Sequence, residues 1–193
     1  MNRILKTTIS AAAIAGFTAI TGFAYLNPPR DLSLSKESKL WIEGTSTVRS
    51  FKCTAGNLDA DVSAKSAAAP AAELVNSASL SVPVASLDCK NSTMNDHMRK
   101  ALKAKDNPQI AWKMTSYTVD GTAVVLSGKL TIAGKENPIE LRGTGTVDNG
   151  IVRFKGSKQF KMTEFGVKPP SLMLGTMKVR DPVTVSFDLV LNP

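Results

Sequence analysis

Residues whose types could perform catalysis or hold a metal are few in this sequence and lie far apart. The chain of 193 residues has a single histidine, His97, and two cysteines, Cys53 and Cys89. Hydrolytic triads and most proton-transfer sites use a histidine, whereas a zinc site needs three or four Cys, His or carboxylate ligands at suitable spacing. This inventory argues against a hydrolase, against an oxidoreductase that acts through its own side chains, and against a zinc site.

The polar residues that could still be catalytic have simpler interpretations. His97 lies between Asp96 and Met98 in a segment with helical spacing, and we interpret it as polar helix surface. Asp59 and Asp61 share one side of a predicted strand, but they alternate with apolar residues and therefore face solvent. The G-x-G-x-x-G, P-loop and G-x-S-x-G motifs are absent from the sequence. We expect no catalytic residue and no bound metal.

Cys53 and Cys89 lie in the part of the chain that we expect to be exported, where an oxidising compartment allows them to pair. Neither belongs to a C-x-x-C redox motif. Two interpretations stay open, a disulfide and a pair of buried thiols, and we favour the disulfide. It would stabilise the fold by roughly 4 kcal/mol in the chain-entropy model.

The N-terminal segment has the three parts of a secretory signal. Arg3 and Lys6 precede an apolar run that ends in small residues. We expect residues 1–24 to be a signal peptide that is removed, with an uncleaved anchor as the alternative. Residues 25–37 are predicted to be a flexible linker and residues 38–193 a single domain. The mature protein is then expected to be periplasmic or secreted.

The formal net charge of +8 makes the chain moderately basic. With two tryptophans, two tyrosines and no long basic run, nucleic acid is a poor partner, and we expect none. The charge fits either an anionic lipid surface or plain solubility. We keep contact with a membrane surface and a homodimer as expectations.

The dominant period from Lys39 onward is two, which is typical of strands with one dry and one wet face. The stretch from Leu58 to Lys65 alternates apolar and polar side chains, and similar stretches recur as far as Leu191. Tight turn signals such as Asp120-Gly121 make neighbouring strands antiparallel. Because a long sheet must hide its apolar face and its edges, eight or nine strands predict an all-β barrel or, as the alternative, a sandwich.

Two segments depart from this period. Thr93 to Lys103 has helical spacing, with Thr93 as the predicted N-cap and Asp96 three residues later; we predict a short amphipathic helix that covers one end of the barrel. Thr163 to Asp181 is predicted to be a loop whose flexible apolar side chains suit a lid, the alternative being a plug of the barrel end. The predicted lid residues are Met94, Met98, Leu172, Met173, Leu174 and Met177.

Glycines occupy the inner face of the predicted strands at Gly128, Gly143, Gly145 and Gly156. They indicate either empty volume or points at which strands bend. An eight-stranded barrel is just wide enough to be filled by side chains or to hold one small ligand, and small inner residues favour the ligand. The predicted walls of the resulting tunnel are Phe51, Leu80, Val82, Trp112, Met114, Leu126, Leu130, Phe154 and Phe187.

A series of loose motifs in a fixed order resembles the YceI-like family of isoprenoid-binding proteins. The resemblance spans roughly Lys39 to Leu191. The motifs are S-K-L-W-I-E-G-T-S-T-V-R-S-F-K-C from Ser38, V-P-V-A-S-L-D-C from Val82, M-N-D-H-M-R-K-A-L from Met94, N-P-Q-I-A-W-K-M from Asn107, G-K-L-T-I-A-G from Gly128, Pro138-Ile139, and V-T-V-S-F-D-L from Val183.

The resemblance implies an extended, lipocalin-like antiparallel β-barrel of about eight strands with a short helix, whose tunnel accommodates a polyisoprenoid chain. The stretch A-L-K-A-K-D-N-P-Q-I from Ala101 departs from the aromatic-rich pattern of the family. We expect a non-enzymatic carrier of an isoprenoid-type lipid that requires no cofactor, with a polyisoprenoid or isoprenoid quinone as the bound molecule. The alternative is a filled barrel that acts through its outer surface as a partner-binding or stress-related module.

Overall fold

The computed structural model describes residues 30–65, 73–172 and 177–193, which fold mainly as β-strands. Within this part of the chain, no helix has the length and apolar character to cross a membrane. The predicted signal peptide, residues 1–24, lies outside the described residues. The strands are β1 Arg30–Leu34, β2 Lys39–Ser46, β3 Ser50–Ala55, β4 Asp59–Ala64, β5 Val75–Pro83, β6 Leu87–Asp88, β7 Gln109–Asp120, β8 Ala123–Ile132, β9 Lys135–Asp148, β10 Ile151–Lys161, β11 Ser171–Leu172 and β12 Met177–Asn192; the helix α1 is Ser92–Ala101, and 3-10 turns cover Val84–Ser86 and Met162–Phe165.

Eight strands close into an antiparallel barrel in the order β1-β4-β5-β7-β8-β9-β10-β12, and β12 pairs again with β1. This confirms the predicted all-β barrel of about eight strands with one short helix. Strands β2, β3 and β6 extend the sheet from the edge of β12 that also pairs with β1. The apolar face therefore curls inward around a single interior.

The position of the first strand corrects the prediction of a flexible linker. Residues 25–37 were expected to be flexible, but residues 30–34 form β1, which joins β4 to β12 and so closes the barrel. Leu32 pairs with Val62 and is buried, while Leu34 pairs with Leu191. Strand β1 is too short for its sequence to show a clear period of two. It is recognised only from its pairing with β4 and β12.

The helix lies where it was predicted, but its N-cap is different. The helix begins at Ser92, so Asn91 is its N-cap instead of Thr93: the Asn91 side chain accepts a hydrogen bond from the Met94 N–H at 2.9 Å. Asparagine in extended conformation is a preferred N-cap. Met98 and Leu102 pack the helix against an apolar cluster of β2, β5 and β6.

The segment Thr163 to Asp181 is more regular than predicted. It begins within a 3-10 turn, contains β11 and enters β12 at Met177, so the prediction of a continuous loop is wrong. Phe165 and Val167 are buried against Ile132. This part of the segment closes a corner of the barrel beside α1.

Cys53 and Cys89 form a disulfide, as favoured from the sequence. The bond ties the middle of β3 to the chain just before α1, across a sequence separation of 36 residues. The Cys89 sulfur also lies 3.8 Å from the Met98 sulfur. The disulfide therefore fixes the start of the helix against the sheet.

Replacing both cysteines by serine is expected to lower the free energy of unfolding by about 2–5 kcal/mol, because the unfolded chain regains the freedom of a long loop. Urea unfolding of the wild type and of the double variant measures the difference. The wild type with its disulfide reduced serves as the control and should match the variant. Equal stability of oxidised wild type and double variant would contradict this role.

A carboxylate network holds the turn between β6 and α1. Asp88 accepts hydrogen bonds from the Asn95 side chain at 3.0 Å and from the Lys90 N–H at 2.9 Å, and it pairs with the Lys90 ammonium. The Asn95 hydrogen bond first, and then those from Lys90, lower the pKa of Asp88 from 3.8 to about 2. Because the folded pKa is the lower one, the carboxylate stabilises the fold above the unfolded pKa. That contribution is lost as the pH falls through the folded value.

Asp88→Asn is therefore expected to be less stable than the wild type at neutral pH, by an amount that shrinks as the pH falls from about 4 to about 2. Denaturant unfolding at a series of pH values measures the difference. Asp59→Asn, at an exposed position of β4, is the matched control. A wild-type advantage that stays constant over this pH range would contradict the assignment.

Candidate functional site: an apolar tunnel through the barrel

A cavity of about 860 Å³ occupies the interior of the barrel. All eight barrel strands line it, together with β2, β3 and α1, and its lining residues come from both ends of the barrel. The wall is almost entirely apolar because the inward positions of each strand carry the apolar half of the period-two pattern. The volume lies within the range of about 300–1,000 Å³ that is common for small-molecule sites. We call this cavity the tunnel.

The predicted wall residues lie where strand parity placed them. Nine residues proposed from the sequence line the tunnel, and their contact with a ligand stays a prediction. They are Phe51, Leu80, Val82, Trp112, Met114, Leu126, Leu130, Phe154 and Phe187.

The predicted lid residues are only partly described. Met94 and Met98 line the tunnel from α1, and Met177 does so from the first residue of β12 instead of from a loop. Met173 and Leu174 lie outside the described residues, and Leu172 is described only as a strand position. A lid therefore stays a prediction from the sequence.

The structure adds wall residues that the sequence analysis did not name. They occupy inward positions of the same strands or of their neighbours, and the period of two was sufficient to find them. They include Leu40, Ile42, Ile110, Ile139, Leu141, Val179, Val183, Val185, Leu189 and Leu191.

Two inner-face glycines make room for aromatic rings. A Cβ on Gly128 would lie 2.5 Å from the Trp112 indole nitrogen, and one on Gly156 would lie 2.9 Å from the Phe187 ring. Phe187 in turn stacks on Phe154, with ring centroids 5.0 Å apart. The positions of these glycines in the sequence predicted empty volume or bends. The structure instead places aromatic rings against the wall there, and the open volume lies beyond the rings.

The other two inner glycines lie on β9. Gly143 pairs with Gly156, where a Cβ would meet the Lys155 carbonyl of β10. Gly145 faces the Val124 side chain, which a Cβ would approach to 2.6 Å. At Gly143 the missing side chain lets two backbones approach, which agrees with the bending role predicted for inner glycines.

Polar side chains of the lining gather mainly at one end of the tunnel. This end, which we call the helix end, is formed by α1, the β2–β3 turn, the last residues of β10 and the first of β12. The opposite end carries the β7–β8 and β9–β10 turns, and we call it the turn end. The polar lining residues of the helix end are Ser46, Arg49, Asn91, Thr93, His97 and Lys158, and those of the turn end are Thr122, Thr146 and Arg153.

Two of these polar residues were misassigned or missed. His97 was interpreted as helix surface, which is wrong because it is half-buried and lines the tunnel. Its position three residues after Met94 and four before Ala101 places it on the inner face of the helix. Lys158 was missed, although it shares the parity of Phe154 on β10. Both signals were present in the sequence.

The middle of the tunnel offers few free polar groups. The Tyr117 hydroxyl accepts a hydrogen bond from the Val75 N–H at 2.9 Å. The indole nitrogen of Trp112 is buried without a hydrogen-bond partner in the described part of the chain. No group of three or more His, Cys, Asp or Glu side chains that could hold a metal ion occurs among the described residues. The wall therefore offers mainly apolar contact along most of the tunnel.

Comparison with known proteins gives the same architecture. Residues 34–191 match the model of the YceI-like domain. No curated protein sequence matches the chain at a significant level.

Solved structures resemble the chain over most of its length. The crystal structure of Burkholderia cenocepacia BcnA is 26% identical with a TM-score of 0.67, covering 79% of this chain and 95% of that one. The Campylobacter jejuni YCEI protein is 20% identical with a TM-score of 0.61, covering 73% and 84%. A polyisoprenoid binding domain from Saccharophagus degradans is 13% identical with a TM-score of 0.63, covering 83% and 97%. At the lower identities the likeness concerns the fold alone.

Narrowing the tunnel is expected to reduce its capacity without unfolding the barrel. Ala78→Phe on the inner face of β5 should lower the uptake of an apolar fluorescent dye several-fold, because the ring occupies tunnel volume. Ser77→Phe adds the same ring at the neighbouring exposed position and should leave uptake unchanged. Dye titration gives the uptake, and circular dichroism checks both folds. Equal uptake by the two variants would contradict the assignment of the cavity.

Proposed function

This chain belongs to the YceI-like domain family, and we propose that it binds, carries or sequesters a long apolar lipid of isoprenoid type in its barrel tunnel. The observation that carries the proposal is the apolar cavity of about 860 Å³ inside a closed barrel. Burying about ten methylene-like groups of such a lipid contributes roughly 8 kcal/mol before the costs of association. A useful affinity for such a lipid therefore requires neither charged nor catalytic groups in the tunnel.

The chemical class of the lipid is proposed from the relatives. The Saccharophagus degradans structure of the same fold is described as a polyisoprenoid binding domain, and a flexible branched chain suits a wall of aliphatic, methionine and aromatic side chains. A polyisoprenoid or an isoprenoid quinone is the proposed bound molecule. We propose that the protein is not an enzyme: a bound quinone would bring its own redox chemistry.

The proposed location is the periplasm or the exterior of the cell. The Cys53–Cys89 disulfide supports it, because such bonds persist in oxidising compartments. Removal of residues 1–24 and formation of a homodimer stay predictions from the sequence.

Native mass spectrometry of the protein purified from its own compartment, followed by organic extraction and lipid identification, tests the proposal. We expect a stoichiometric prenyl-chain adduct, and an absorption spectrum of the extract distinguishes a quinone from other isoprenoids. Ala78→Phe should carry less lipid than Ser77→Phe. An apo mass that persists after incubation with isoprenoid quinones and polyprenyl lipids would overturn the proposal and favour a function of the outer surface.

A further inference from the structure

The β2–β3 turn holds an apolar side chain out in solvent at the rim of the helix end. Val48, at its apex, is 66% exposed. Three hydrogen bonds hold the turn: the Ser46 hydroxyl accepts from the Val48 and Arg49 N–H groups at 3.2 and 3.1 Å, and it donates to the Arg49 carbonyl at 2.9 Å. Because Ser46 and Arg49 also line the tunnel, the exposed valine stands directly beside the opening.

Two basic residues lie beside this valine. Arg49 follows it in the chain, and the backbone of Lys178 is hydrogen-bonded to Thr47, with the Thr47 N–H donating to the Lys178 carbonyl at 2.9 Å. None of the ion pairs formed between described residues includes Arg49 or Lys178. We call Val48 with these two cations the basic rim.

Acidic residues close to the basic rim are engaged elsewhere. Glu43 pairs with Lys52 at 3.9 Å. Asp181 accepts hydrogen bonds from the Thr163 hydroxyl and N–H, and these hydrogen bonds lower its pKa. The positive charge of the rim is therefore available to an external anion.

The two turns at the turn end carry acidic side chains instead. Its β7–β8 turn carries Asp120, and its β9–β10 turn carries Asp148 beside Ile151, which is 43% exposed. Neither turn contains a lysine or an arginine. Arg153, which lines the tunnel at the turn end, is paired with Asp188 at 3.0 Å. Exposed apolar groups occur at both ends of the barrel, and in the described part of the chain the helix end places one beside cations that form no ion pair.

We propose that the basic rim docks on an anionic lipid membrane, with Val48 entering the interface and Arg49 and Lys178 contacting headgroups. An exposed apolar side chain flanked by cations fits such a surface, since apolar burial and attraction to anionic lipids act together. Docking in this orientation presses the tunnel opening against the membrane. The inference rests on the proposed function for the identity of the cargo, whereas docking is measured separately.

Vesicle sedimentation of the protein purified from its own compartment tests the docking. The probes are vesicles of phosphatidylcholine alone and vesicles of phosphatidylcholine and phosphatidylglycerol in equal amounts. We expect preferential binding to the anionic vesicles that weakens at about 1 M salt, where the Debye length is about 3 Å. Each cation near such a surface contributes about fivefold to the binding constant. Arg49→Glu combined with Lys178→Glu should therefore weaken binding by at least about twentyfold.

Matched single variants separate the two ends of the barrel. Val48→Asp should weaken binding to the anionic vesicles about tenfold, whereas Ile151→Asp, an equivalent change at the turn end, should leave binding unchanged. Equal losses in the two variants, or binding that is indifferent to vesicle charge, would overturn the proposal. So would unaltered binding of the Arg49 and Lys178 double variant.

The outcomes for docking and for cargo are distinguishable. A wild-type protein that carries extractable lipid but ignores anionic vesicles overturns the docking alone. A protein that binds anionic vesicles through Val48 but holds no lipid supports the docking and overturns the proposed function.

Discussion

Closure of the sheet through β12 is the constraint on which the rest of the structure depends. This strand of 16 residues pairs with β10 along one edge and with β2 and then β1 along the other, and β11 pairs with its first residues. Without the β1–β12 contact, the apolar inner face would be open along one side, with two sheet edges exposed to other chains. Closure converts an apolar surface that would aggregate into the wall of an internal cavity.

The shape of that cavity depends on which side chains line its wall. Gly128 and Gly156 allow Trp112 and Phe187 to lie against the sheet, so large rings cover the wall without crossing the tunnel. A barrel of this size stands at the limit between a filled core and a ligand cavity. Here the paired use of glycine and aromatic residues is one reason that volume remains open along the axis.

The lining of the tunnel differs between its two ends. The wall along the middle of the tunnel offers few free polar groups. The helix end carries most of the polar lining residues, Arg49, His97 and Lys158 among them, whereas the turn end has Thr122, Thr146 and Arg153. The Cys53–Cys89 disulfide and the Asp88 network fix α1 at this end, so its lining keeps a defined position.

The sequence alone determined the all-β class, the single short helix and the inward parity of the nine proposed wall residues, because a period of two is a local property that any half-buried strand must show. It also indicated the disulfide partners, since only two cysteines exist. The tertiary structure decided what depends on distant pairing: that residues 30–34 form the closing strand, that Met177 belongs to β12, and that rings fill the space over two of the inner glycines. The tertiary structure also decided that His97 and Lys158 line the tunnel. The alternation of a strand or the face of a helix shows which residues point the same way, but only the packing of the whole barrel shows where the interior lies.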